Sequence, residues 1–394
     1  MSPITRYYRS CDPDASLKPG DERYVDLAVA RADELGGGWR KRLARDLRKT
    51  DRASTFLISG FLGDGKSTEL LHLREELKNG GPKLAVVYVD GSQFLNAYEY
   101  TFNEFLLGVI GETGRQLREG CGIELRPSYL SRKLAELKST LLSDMEPKEI
   151  SAGAKIDDFE LAAKIALRAR DSDRVRRQLA DSLAGDRTTL NQEFAGSLNQ
   201  TARPELEKRG YKDLVIIADW LEKLVDLPPT ATRPVGGHEA LFLHHSQLVR
   251  EWGAQVVMTV PIDMVYFARQ EHLRQAYGCE PIVINQVGVA DFLKTQQQKN
   301  AVSAMRQILK LRADHAPDGP LDYAIVFASP DLEEEVIRFS AGHLRTLMIL
   351  IRQCCSFTDR LPLTREVVDA ALRDHVLTSA RRVNDQWIEK LAAV

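Results

Sequence analysis

Residues 55–68, Thr-Phe-Leu-Ile-Ser-Gly-Phe-Leu-Gly-Asp-Gly-Lys-Ser-Thr, carry the spacing with the clearest chemistry in this chain. A short β-branched run enters Gly60-x-x-x-x-Gly65-Lys66-Ser67, and a helical pattern follows from Ser67-Thr68-Glu69-Leu70-Leu71. Glycines at 60, 63 and 65 let the backbone turn tightly around Asp64 and aim successive N–H groups at a polyphosphate. Lys66 supplies a compact cation for the β- and γ-phosphates, and Ser67 offers a hydroxyl to Mg²⁺. The helix opening at Ser67 and Thr68 points its positive end at the same anion. The spacing implies nucleotide binding.

A second constellation lies in Leu214-Val215-Ile216-Ile217-Ala218-Asp219-Trp220-Leu221-Glu222-Lys223. A carboxylate ending a buried strand, here Asp219, can hold the water shell of Mg²⁺ beside a phosphate loop. Glu222, three residues on, is the candidate to orient or activate the attacking water. Asp219 alone also reads as a strand-ending turn residue, and Glu222 alone as a solvated helix residue. A run ending Val256-Val257-Met258-Thr259-Val260-Pro261 offers the Thr259 hydroxyl to water or the γ-phosphate; it reads equally as a β-branched strand residue. Ser340-Ala341-Gly342-His343-Leu344-Arg345 opens a helix whose Arg345 can reach a γ-phosphate and couple lid position to ATP or ADP.

Positioning these groups requires a parallel sheet. Five short apolar runs, Thr55–Ser59, Leu84–Val89, Leu214–Ala218, Gln255–Val260 and Pro281–Val287, alternate with helical patterns. That pattern predicts an α/β fold with covered sheet faces and ligands at the carboxyl strand ends. The first 23 residues read as an extended arm, and 24–290 as the nucleotide-binding domain. Tyr24–Arg48 reads as helical with a break at Gly36-Gly37-Gly38. Residues 111–208 read as a helical insertion. Within it, alternation of Ala154, Ile156, Phe159, Leu161, Ala163, Ile165 and Leu167 around Asp157-Asp158 predicts a hairpin, the alternative being one long helix through 155–183. Helical stretches flank it at Tyr129–Asp144, about Ser172–Leu183 and Thr189–Gly210. Residues 291–394 read as an all-α lid, with helices at Asp291–Arg312, Leu332–Ser340, His343–Thr358, Arg365–Leu377 and Ser379–Val394.

Composition bounds the rest. The chain has 394 residues, long enough for two or three structural units, and its net charge of −2 gives no global push toward nucleic acid or membrane. Five cysteines without metal-ligand spacing read as reduced thiols. No apolar stretch approaches the ~20 residues of a membrane helix, so a cytoplasmic protein with no membrane partner is expected. His238, His244 and His245 read as packing or surface residues rather than a metal site. Arg168, Arg170, Arg174, Arg176 and Arg177, interrupted by Asp171 and Asp173, read as a solvated helix face.

Gly60–Thr68, Ile216–Lys223, Thr259 and Gly342–Arg345 together resemble the Walker A, Walker B, sensor 1 and sensor 2 elements of AAA+ and STAND P-loop ATPases. The likeness is strongest to the replication-initiator-like branch. It spans about residues 20–375 apart from the insertion, and implies an ASCE-type sheet with an α-helical lid. Tyr7-Tyr8-Arg9-Ser10-Cys11-Asp12-Pro13 with Gly65–Leu70 resembles bacterial AAA-type ATPases of signalling or antiviral defence systems. By that resemblance Tyr24 and Val25 border an adenine pocket. Trp220 stands where AAA+ enzymes carry Glu, and Asp-x-x-Glu looks more like the slow nucleotide switches of the STAND group. Arg174, Arg176, Arg177, Arg209 and Arg274 are open candidates for an arginine finger. Relatives often carry an effector or recognition domain that is not evident here; the chain is then a fragment, or its effector is a separate polypeptide.

The leading expectation is an Mg²⁺-dependent ATPase, slow in turnover, acting as a conformational or assembly switch, with homo-oligomerisation open. One alternative is a non-hydrolysing, nucleotide-bound scaffold that recruits a protein partner through 111–208. Another is a DNA-dependent ATPase or loader, whose activity would fall steeply with salt.

Overall fold

A computed structural model describes residues 1–33, 38–51, 53–125, 128–141, 157–230, 234–266, 269–289 and 296–381. In chain order the helices are α1 (Pro3–Ser10), α2 (Trp39–Lys49), α3 (Lys66–Asn79), α4 (Phe102–Cys121), α5 (Ser128–Leu141), α6 (Asp158–Asp171), α7 (Asp173–Leu183), α8 (Arg187–Ser197), α9 (Arg203–Lys208), α10 (Gly237–Glu239), α11 (Ser246–Arg250), α12 (Ile262–Val265), α13 (Arg269–Tyr277), α14 (Gln296–Asp314), α15 (Pro330–Phe339), α16 (Leu344–Ser356) and α17 (Arg365–Ala380). The strands are β1 (Thr55–Gly60), β2 (Leu84–Asp90), β3 (Asp213–Asp219), β4 (Gln255–Thr259) and β5 (Ile282–Ile284). Contacts divide the chain into two compact units. One comprises Met1–Trp39, Gly63–Thr68 and Asn285–Val394; the other comprises Arg40–Leu62 and Glu69–Ile284.

The second unit is built on one sheet in the order β2-β3-β4-β1-β5. Every pairing is parallel, with Ile58 opposite Thr259, Ala218 opposite Met258 and Asp90 opposite Asp219. β3 is buried along its whole length, which is why its sequence runs apolar without alternating. Inserting β4 between β1 and β3 brings the carboxyl ends of those three strands together on one edge. Strand order and parallel register make this the α/β sheet of a P-loop NTPase of the ASCE type. All five strands fall on the apolar runs that predict them.

Among the described residues the 111–208 region is helical without a hairpin, and α4 runs unbroken across position 111. Phe159, Leu161, Ala163, Ile165 and Leu167 lie on α6, while Ala154 and Ile156 fall outside the described residues. Two caps decide the outcome. Asp157 accepts from the N–H groups of Phe159 and Glu160, both at 2.9 Å, and Ser172 ends α6 while capping α7. That break also excludes a single helix through 155–183. The buried residues are Phe159, Leu161, Ala162, Ile165, Ala166 and Ala169, whereas Leu167 is 40% exposed. Small alanines carried the 3.6 period, and larger residues between them simulated a period of two. Gly111 and Gly114 let α6 lie close against α4: a Cβ on Gly114 would sit 2.1 Å from the Phe159 ring. Burying Phe159 there contributes roughly 2–3 kcal/mol.

The first unit is helical. α1 and α14–α17 surround a core that includes Tyr7, Met305, Leu309, Leu350 and Ile351. The expected extended arm is therefore corrected: α1 starts at a Ser2 cap with Pro3 in its first turn and buries Ile4 and Tyr7. The expected Tyr24–Arg48 helix is also corrected. Among the described residues of this stretch the helix begins at Trp39, and turns occupy 28–32, where Asp26 accepts from the Ala28 N–H at 3.0 Å. Short acidic side chains compete there with the helical backbone for N–H groups. Gly36 and Gly37 lie outside the described residues, as do 291–295 and 382–394. The helices expected at Leu332–Ser340, His343–Thr358 and Arg365–Leu377 are present as α15, α16 and α17.

Candidate functional site

The loop Gly63–Thr68 is held within the helical unit by its own backbone conformation and by the start of α16. Gly63 and Gly65 have φ of +95° and +82°, a region that side chains other than glycine rarely enter. A Cβ on Gly63 would stand 2.5 Å from the Cβ of Arg345 and 2.8 Å from Cε1 of His343. The Arg345 N–H donates to the Gly63 carbonyl at 3.3 Å. Arg31 donates to the Asp64 carbonyl, and His343 Nε2 lies 3.7 Å from Asp64 Oδ1. Leu17 N–H donates to the Thr68 hydroxyl at 3.1 Å. Lys66, the first residue of α3, is 3% exposed, and Ser67 follows it half-buried.

Two neighbouring expectations land differently. Tyr24 is half-buried, and Val25 packs on the helical core. Arg345 sends its guanidinium to the Pro13 carbonyl at 3.3 Å and to Asp14 Oδ1 at 3.1 Å. His343 falls inside the Gly342–Arg345 stretch that resembles sensor 2, whereas nothing in the local sequence of Arg31 ties it to a loop some 30 positions away.

In the sheet unit, the edge at the end of β3 is acidic and closely held. Asp219 is 3% exposed; its Oδ2 accepts from the Tyr88 hydroxyl, and its Oδ1 from the Trp220 N–H at 2.7 Å. Burial, then the charge of Asp219, pushes the Tyr88 phenol far above its ordinary range, so Tyr88 stays a donor. Trp220 takes φ +76°, a left-handed conformation costing about 1–2 kcal/mol in a bulky residue. That bend directs the chain into a 3-10 turn, Leu221–Lys223, which carries the buried Glu222. Thr259, fully buried, accepts from the Leu221 N–H at 3.0 Å and so ties the exit of β3 to β4. Asp219, Glu222 and Thr259 thus belong to one strand-end cluster, and Tyr88 joins it from β2 through the Asp90–Asp219 register.

Asp226, His238 and Asp263 converge among the described residues as a group of metal-binding type. His238 Nε2 lies 2.8 Å from the Leu224 carbonyl and Nδ1 lies 3.1 Å from Asp263 Oδ2. Arg269 meanwhile bonds Asp226 at 2.9 Å and Asp263 at 3.1 Å. Arg269 and His238 thus tie both carboxylates into one network that fastens the chain after Glu222. Of the arginines considered, Arg176 is buried against Glu104 at 3.1 Å, Arg209 pairs with Glu205 at 3.0 Å, and Arg274 pairs with Glu271 at 2.7 Å. Arg176 is thus no part of a solvated face.

No protein-family profile matches the chain, and no curated protein does. Among solved structures it is similar to the Aeropyrum pernix ORC1 protein, determined in complex with DNA. Identity is 17%, covering 96% of this chain and 72% of that one, with a TM-score of 0.38. A likeness at that level adds nothing to what the strand order already establishes. Among the described residues no helix is long and apolar enough to cross a membrane.

Proposed function

We propose that the chain binds ATP and ADP with Mg²⁺ and hydrolyses ATP slowly, the bound nucleotide setting a conformational or assembly switch. The observation that carries this reading is the pair of left-handed glycines, Gly63 and Gly65, between the end of β1 and the buried Lys66. Such a turn aims consecutive N–H groups at one anion, and a side chain on Gly63 would collide with Arg345 and His343. In this reading Lys66 neutralises phosphate charge, and the oxygen donors Ser67 and Asp219 suit Mg²⁺. Glu222 and Thr259 orient water, Arg345 reports the γ-phosphate, and Tyr24 and Val25 border the adenine. Arg345 would have to leave Asp14, whose carboxylate is 79% exposed; an ion pair so solvated is worth at most about 1 kcal/mol. Residues 24–290 would act as the ATPase domain, 291–394 as its lid, and 111–208 as a surface for a protein partner in a defence or signalling system.

The test is calorimetry with ATP and ADP on the purified chain, followed by turnover assays. Lys66→Ala should abolish binding, and Glu222→Gln should bind ATP without hydrolysing it. A Glu222→Gln variant as active as wild type removes Glu222 from the chemistry; absence of any adenine-nucleotide uptake removes the whole reading. A second reading, a nucleotide-bound scaffold without turnover, is favoured by the engagement of Asp219 with Tyr88 and of Thr259 with Leu221. Nucleotide retained through purification with no phosphate release would select it. Stimulation by duplex DNA that collapses with salt would select a loader instead.

A further inference from the structure

We propose that the free edge of β2 is a docking groove for an extended acidic peptide of a partner protein. β2 is an outer strand, paired with β3 alone in the sheet. The Lys83 carbonyl accepts from the Lys212 N–H at 2.8 Å, which turns the backbone groups of 83, 85 and 87 toward β3. The backbone groups of Leu84, Val86 and Tyr88 therefore face outward. At Tyr88 this edge is closed by a side chain: Tyr88 N–H donates to Gln116 Oε1 at 3.0 Å, and Gln116 Nε2 donates to the Tyr88 carbonyl at 2.6 Å. One primary amide thus meets the N–H and C=O of a single residue, as the backbone of an added antiparallel strand would. Among the described residues, nothing does the same for Val86. Val86, 7% exposed, lines a groove of about 700 Å³ between α3 and α4.

The charge of the groove selects the occupant. Arg74 and Lys78, one turn apart on α3, and Lys83 line one side. Among the described residues no carboxylate lies within ion-pair distance of these three cations. Burial, then the neighbouring Arg74, depresses the Lys78 pKa, with Glu75 opposing them. On the opposite side, Arg115 is outnumbered by Glu112 and Glu119, each at 2.6 Å, and Asp90 also lines the groove, so the acidic side chains of a ligand belong against α3 alone. An unpaired strand edge is satisfied by a peptide backbone, and uncompensated cations by carboxylates. The ligand that meets both demands is a strand of four or five residues, at ~3.3 Å per residue, with acidic side chains toward α3.

The probe is a capped, fluorescently labelled five-residue peptide alternating glutamate and valine, titrated against the full chain with amide NMR of Val86 as second readout. Two controls separate backbone from charge: the same peptide N-methylated at its central amides, and one with lysine for glutamate. The proposal expects the acidic peptide to bind and to shift the Val86 amide, with each control weaker by about tenfold or more. The R74E/K78E variant should reverse the preference toward the lysine peptide. Should it fail to fold, the two peptide controls on wild type still decide. No binding of the acidic peptide overturns the proposal. So does binding indifferent to N-methylation, or equal binding of a single-stranded DNA of matching charge, which would mark a generic polyanion surface.

Discussion

The glycine loop at 63–68 and the acidic edge at 219–222 hold their polar groups by opposite means. In the loop, conformation comes from the residues themselves: Gly63 and Gly65 sit where only glycine is comfortable, and their N–H groups follow from that. At the acidic edge, conformation is imposed from outside. Trp220 is forced into a left-handed bend, while Tyr88 from β2 and Thr259 from β4 tie down Asp219 and the Leu221 turn. A motif of the first kind is written into local sequence. One of the second kind is written into strand order.

The strongest way to break this contrast is Gly63→Ala, whose Cβ meets Arg345 at 2.5 Å as well as an unfavourable φ. It should lower stability by about 2–4 kcal/mol and abolish nucleotide binding, read by thermal melts and calorimetry. Gly65→Ala sharpens the point, because its nearest neighbour, Leu344 Cδ1, is 3.4 Å away. Only backbone strain remains, and the loss should be about 1–2 kcal/mol. If both variants behave alike, packing against α16 is not what shapes the loop.

At the acidic edge, Tyr88→Phe removes a donor to a buried carboxylate and should cost about 1–3 kcal/mol. Thr259→Val leaves the Leu221 N–H without its acceptor and should cost about 1–2 kcal/mol. Both should slow turnover while leaving nucleotide affinity near wild type. A matching loss of affinity would show that the loop depends on this edge after all.

A pH titration separates acid damage at that edge from acid damage elsewhere. His245 packs on the Phe102 ring at 4.3 Å, and burial, then Arg187, lowers its pKa from 6.5 to about 4. The folded protein therefore binds fewer protons than the unfolded chain between those values. Stability is whole above pH 6.5 and drains as pH falls toward 4, by on the order of 2 kcal/mol for this partly exposed ring. His245→Phe should flatten that limb in denaturant titrations, and an unchanged slope would assign it to other groups. The smallest effect is expected from Arg345→Ala, within about 1 kcal/mol in stability, since Asp14 is solvated. Its signature should instead be a weakened preference for ATP over ADP.

Most of the sheet was legible because buried parallel strands are continuous apolar runs, and five such runs became five strands. Errors arose where local signals competed. Alternating Phe159, Leu161 and Ile165 imitated a strand, while the helix was decided by the Asp157 and Ser172 caps and by Gly111 and Gly114 on α4. The N-terminal residues look like an arm by composition, yet Ile4 and Tyr7 find a core made from helices some 300 positions later. Within the candidate site, Asp219, Glu222 and Thr259 could be named from strand ends. Tyr88 and Arg31 could not, since each acts through a residue distant in sequence.

What the chain's order of residues determined alone was where the loop can turn, because missing side chains make positive φ accessible at Gly63 and Gly65, while α16 and Arg31 help to hold it there. It also determined which segments become strands, since burial on two faces demands uninterrupted apolar runs. Tertiary structure alone decided what surrounds the acids: strand order sets Tyr88 beside Asp219 and Thr259 beside Leu221. Hydrogen bonds between residues more than a hundred positions apart, as in the first of these pairs, depend on which strands become neighbours, and no local pattern encodes that.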